Sequence, residues 1–204
     1  MNNKSKLMLS DEELQLVTSS EWILTKRIIL DKVDILLGNL AVKQKAIIKK
    51  YKSILPIDVV ASSAKISKGE NYLQLPYRML DYPRCFTGEH VFAVRTMFWW
   101  GNFFCVTILL SGNNKKVFEN GYIAGNAKME NDGFFIGVNE SPWHHHFEED
   151  NYIALKNITK GEAEKIIQQK DFIKLAVRFP LQQWNDMPEL LENAFIKLIG
   201  LLKP

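Results

Sequence analysis

Residues 90–110 read HVFAVRTMFWWGNFFCVTILL, two apolar runs that meet at Gly101-Asn102 with one arginine, Arg95, inside the first. Val91 to Trp100 and Phe103 to Leu110 have the length and the aromatic, β-branched content of strands. Gly101-Asn102 has the length and chemistry of a tight two-residue hairpin. Alternation along the first strand sends Phe92, Val94, Phe98 and Trp100 one way, with Thr96 among them. Val91, Ala93, Met97 and Trp99 go the other way, with Arg95 among them. Both faces are therefore apolar, which fits a sheet covered on both sides or curled round a cavity and does not fit an exposed face.

Working outward, residues 71–155 continue as an antiparallel sheet. Tyr72 to Leu75 and Arg78 to Tyr82 are short strands split by Pro76, which suits an edge or a bend. Ser111-Gly112-Asn113-Asn114 closes the hairpin's second strand with a turn. Further strands are expected at Val117-Phe118, Tyr122 to Ala124, Phe134 to Val138, His144 to Phe147 and Tyr152 to Leu155.

The flanks change period. Residues 1–52 are mainly helical: Ser10 before Asp11-Glu12-Glu13 is a helix cap with acids on the positive helix end. A second run brings Trp22, Ile29, Val33, Leu36, Leu40, Ile47 and Tyr51 near one stripe, and Gly38-Asn39 is a natural break. Residues 159–204 read helix, strand, helix. Thr159 and Glu162 form a capping box, Phe172 to Phe179 alternates until Pro180, and Leu191, Phe195, Leu198 and Leu202 make the stripe of a last helix after Asp186 and Pro188. The expected fold is a single α+β domain over residues 1–204, a central antiparallel sheet packed against amino-terminal and carboxy-terminal helices.

Composition bounds function more loosely. With 26 Lys plus Arg against 23 Asp plus Glu, the formal charge of +3 is too small to imply a polyanionic partner. Lys43, Lys45, Lys49, Lys50 and Lys52 form a basic run, but without interleaved aromatics or arginines it argues against nucleic acid and for a solvated helix end. No run is long and apolar enough to span a membrane, and Met1 to Ser10 lacks the apolar centre of a leader. Two cysteines, Cys85 and Cys105, make neither a disulfide framework nor a thiolate metal knuckle, so a cytoplasmic setting is expected. Cys105 reads as an inert core thiol, and Cys85 beside Arg84 as the more reactive of the two. Glycine-rich phosphate loops, zinc-protease helices and serine elbows are absent from the sequence.

Two clusters carry chemistry. The first is Asp81, Arg84, His90 and Arg95, in a segment rich in Tyr and Trp. Arg95 on a covered face needs an acceptor, because an isolated buried charge is costly and arginine does not escape by deprotonating. That acceptor is either Asp81, in a structural pair, or a ligand carboxylate or phosphate held by the guanidinium fork. In the ligand reading, Arg95 and Arg84 hold the acidic group, Asp81 orients one arginine, Trp99 or Tyr82 stacks on the ligand, and His90 belongs to the same site. Core packing is the competing account of the aromatic residues.

The second cluster is Trp143-His144-His145-His146-Phe147-Glu148-Glu149-Asp150. If extended, it aligns His144, His146 and Glu148 on one face, a two-histidine, one-carboxylate set suited to a divalent ion such as iron, manganese or zinc. The same His144 and His146 are candidates for metal-free acid-base catalysis beside the arginines, and a plain surface run is the alternative to both. Three functions follow from the sequence: binding or conversion of a small anionic or polar organic ligand, a metal-dependent enzyme, or a non-catalytic interaction protein. The lysine run and the last helix would serve the third, including as a homodimer.

Overall fold

The computed structural model describes residues 7–202, apart from the side chains of residues 126–128. The amino-terminal stretch read as lacking a leader lies outside the described residues as far as Lys6. In chain order the elements are α1 (Asp11–Thr18), α2 (Glu21–Lys50), α3 (Ile57–Ala61), β1 (Lys65–Tyr72), β2 (Leu75–Thr87), β3 (His90–Trp99), β4 (Phe103–Ser111) and α4 (Gly112–Glu130). They continue with β5 (Phe135–Gly137), β6 (Tyr152–Ala154), α5 (Lys160–Gln169), β7 (Phe172–Pro180) and α6 (Met187–Gly200). The strands form one antiparallel sheet in the order β1-β2-β3-β4-β7-β5-β6, so the α+β class expected from the periodicity is the one observed.

The two faces of β3 are divided as alternation dictates. Phe92, Val94 and Phe98 enter the main core with Leu37, Leu40, Phe118, Tyr122, Phe195 and Leu198 from α2, α4 and α6. Met97 and Trp99, on the other face, join a separate cluster with Met79, Phe103, Cys105, Phe147, Tyr152 and Ala176. β7 returns from α5 to lie beside β4 in mid-sheet, and its residues Phe172 to Val177 are all buried. Both anticipated capping boxes form: Ser10 with Glu13 and Thr159 with Glu162. Each contributes about 1 kcal/mol to its helix end.

Several local expectations are corrected. α2 runs unbroken through Gly38-Asn39 for 30 residues, because a helix tolerates an interior glycine when its neighbours, here the buried Leu37 and Leu40, pack on the sheet. Its buried stripe begins at Leu30, leaving Trp22 exposed. The first hairpin turns at Leu73-Gln74, both with positive φ, so β1 starts at Lys65 and Pro76 falls inside β2. The β3–β4 connection takes in Trp100 as well as Gly101-Asn102, with Gly101 at φ 73.

Val117-Phe118 and Tyr122 to Ala124 belong to helix α4. Phe118, Tyr122 and Met129 are buried there at helical spacing, a period that the strand reading missed. His144 to Phe147 is irregular chain lying between β5 and β6.

Candidate functional site

Helices cover one face of the sheet; the segment from Val138 to Asn151 lies against the other. Its anchors are polar. The Tyr72 hydroxyl accepts the backbone N–H groups of His145 (2.7 Å) and His146 (3.2 Å), and Val138 N–H donates to the Asn151 carbonyl at 2.9 Å. Lys174, from the middle of β7, donates through Nζ to the His144 carbonyl at 2.7 Å and to Asn151 Oδ1 at 2.9 Å, over the ring of Tyr152. Gly137 faces the Lys174 stem so closely that a Cβ there would meet Lys174 carbons at 2.8–3.1 Å.

Beneath this segment, register places Asp81, Arg95, Thr107 and Ala176 in one row across β2, β3, β4 and β7. Arg95 donates through Nε to Asp81 Oδ1 at 2.8 Å, the structural pair weighed from the sequence. Its terminal amines Nη1 and Nη2 have no protein hydrogen-bond partner among the described residues. The guanidinium carbon lies 5.0 Å from the Trp143 ring centre and 5.7 Å from that of Phe86, geometry that favours a cation. Arg84 flanks the same Phe86, donating from Nε to the Ser63 carbonyl at 3.0 Å. An open concavity of about 450 Å³ lies there, lined by Asp58, Ser62, Ser63, Arg84 and Phe86.

The electrostatics are lopsided. Lys174 is buried without a carboxylate partner among the described residues, and burial first, then the Arg95 charge, lowers its ammonium to about 7. His145 turns inward. Burial, with Arg95 and Lys174 adding repulsion, lowers its imidazole to about 3, so it is neutral. Burial likewise pushes the Cys105 thiol up to about 12, in keeping with an inert core residue. Tyr152 is buried with its hydroxyl unpaired.

The candidates named from the sequence are only partly assembled. Asp81 and Arg95 come together with Trp143, while Arg84 stands apart, beside Phe86 in the adjoining concavity. Trp99 shares their face, but its ring packs edge-on against Tyr72 and Phe103 in the apolar cluster and its Nε1 donates to the Tyr72 carbonyl. Tyr82 lies on the opposite face, buried under the helices, because it follows Asp81 directly and alternation turns it, with Leu80, into the main core. His90 stands at the far end of β3, where its Nδ1 accepts the Asn113 N–H.

His144 and His146 have ring centres 5.3 Å apart. His146 pairs with Asp150, 3.2 Å from Nε2, while among the described residues Glu148 makes no hydrogen bond or ion pair with either ring. Among the described residues no three His, Cys, Asp or Glu side chains converge as a metal site. Sequence reasoning passed over Lys174, Asn151, Tyr152 and Tyr72. Lys174 was visible as a polar interruption of an apolar strand, but only β7's central position makes it a buried one. No helix among the described residues is long and apolar enough to cross a membrane. Comparison with protein-family models, curated proteins and solved structures returns no match.

Proposed function

We propose that the face beneath Trp143 and the histidine run binds a small organic anion, with Arg95 as its fixed cation. One observation carries this reading: Asp81 holds Arg95 through Nε alone, leaving both terminal amines without a protein acceptor among the described residues, beside the packed rings of Trp143 and Phe86. A guanidinium oriented in this way offers a planar two-point contact to a carboxylate or phosphate at little further ordering cost. Phe86 and Trp143 give a flat organic body somewhere to rest, and Arg84 borders the adjoining concavity. At the rim, His146 has Asp150 at Nε2 and the Tyr72 hydroxyl 3.4 Å from Nδ1, so it is the group to move a proton in any chemistry on the bound anion.

The test is calorimetric titration with a panel of aromatic and aliphatic carboxylates and organic phosphates. At least one should bind, and Arg95→Lys should abolish binding while leaving the melting temperature nearly unchanged, since lysine keeps the charge and loses the fork. A ligand that binds Arg95→Lys as well as wild type would overturn the assignment, and so would a panel with no binder.

A further inference from the structure

We infer that α2 is a self-association surface, on which a second copy of this chain lays its own α2 antiparallel. The helix presents two rows at seven-residue spacing, exposed except at the half-buried Gly38: Ile28, Ile35 and Val42 in one, Leu24, Asp31, Gly38 and Lys45 in the other. Leu24, Ile28, Ile35 and Val42 are 50%, 55%, 65% and 72% exposed, whereas the helix's buried stripe, Leu30, Val33, Leu37, Leu40, Gln44 and Ile47, points to the sheet. A seven-residue apolar repeat is the pattern that keeps one helix seam facing another helix.

Gly38 gives the seam its centre. Interior helical glycine weakens a helix, and the chain's own packing does not require it, since a Cβ at Gly38 would meet nothing within 4 Å. A partner helix would use the gap, because missing side chains let helix axes approach. When two copies run antiparallel with Ile35 of each set over Gly38 of the other, Asp31 falls about 4.5 Å along the axis from the partner's Lys45, within reach of a lysine stem. Neither Asp31 nor Lys45 has an ion-pair partner within the chain among the described residues. Leu24 and Ile28 then lie against the stems of the partner's Lys49 and Lys45, which cover apolar surface while their charged ends stay wet. A parallel pairing would instead set Asp31 against Asp31 and Lys45 against Lys45. The seam is thus complementary in charge to itself in one direction only, which favours a second copy over an unrelated partner.

The test uses the full chain in sedimentation and light scattering over a concentration series. Wild type should be a dimer, and Ile35→Glu with Val42→Glu should make it a folded monomer whose cooperative melt has lost the concentration dependence of the wild-type melting temperature, since both side chains are exposed within the chain. Asp31→Lys should weaken the dimer at least about tenfold, and adding Lys45→Glu should restore it. With Cys85 replaced by serine, Gly38→Cys should form a disulfide-linked dimer on mild oxidation, whereas Leu24→Cys, about 38 Å from its counterpart in this register, should not. A wild-type monomer, a dimer indifferent to the Ile35 and Val42 changes, or cross-linking at Leu24→Cys in place of Gly38→Cys would each overturn the proposal.

Discussion

Lys174 donates to the side-chain oxygen of Asn151 at 2.9 Å, and the two residues are 2% and 0% exposed. A buried ammonium with two neutral acceptors and no carboxylate partner ties the 138–151 segment to the centre of the sheet. It also makes the stability of that arrangement a function of pH.

Between about pH 7, where the native Lys174 titrates, and 10.5, the value of a free lysine, the folded state binds fewer protons than the unfolded chain. Stability therefore rises with pH through that window. Above pH 9 the buried Cys105 thiol acts in the opposite sense, because it keeps its proton up to about 12. Melting temperature should accordingly climb by a few degrees from pH 7 to about 8.5 in wild type, and the climb should vanish in Lys174→Met. An equal slope in the variant would show that Lys174 is not its source.

His145 governs the acid side. Its native imidazole takes up a proton only near 3, against 6.5 when unfolded, so stability contributed by the neutral ring is complete above 6.5 and declines as pH falls. In denaturant titrations at pH 7 and about pH 5, His145→Gln should lose less stability than wild type over the same interval.

The Asp81–Arg95 pair has side chains only 9% and 16% exposed, closer to a buried bridge than to a surface one. Asp81→Asn should cost about 3 kcal/mol, because it leaves the guanidinium without its counter-charge. A urea melt giving a loss below about 1 kcal/mol would place the pair with exposed bridges.

Gly137 is required by the Lys174 stem and not by backbone conformation. Gly137→Ala should destabilise by about 1–3 kcal/mol, the range for overpacking. In the Lys174→Ala background, where the crowding carbons beyond Cβ are gone, the penalty should shrink. Equal penalties in the two backgrounds, measured as a double-mutant cycle, would rule out the contact as the cause.

In the main core, Phe98→Ala should cost about 3–5 kcal/mol, since Phe98 is buried against Trp100, Phe104 and Trp184. Trp100→Ala should cost less, because the ring is only half-buried at the mouth of the β3–β4 turn. Chemical denaturation of the two variants gives the ranking directly, and a reversed order would contradict the burial of Phe98.

Local chemistry was enough for part of this protein. The alternation of residues 91–99 told which side chains of β3 share a face, because a strand's period of two is a property of the backbone. The Ser10 and Thr159 caps were readable because each is closed within four residues. The Asp81–Arg95 pair was anticipated from the cost of a buried arginine.

Long-range placement decided the rest. Alternation puts Tyr82 on the face opposite Asp81, but only the packing of the helices makes that the covered side, away from Arg95. In the histidine run His145 and Phe147 are buried while His144 and Glu148 are exposed, but the segment is shaped by its anchors to Tyr72, Lys174 and Asn151, residues far apart in the chain, and His144, His146 and Glu148 do not converge as a metal set. Lys174 looked like an ordinary polar position in an alternating strand until β7 was seen between β4 and β5. Burial depends on which strands become neighbours, and that depends on how the helices and sheet share one apolar interior, a condition that no single segment carries.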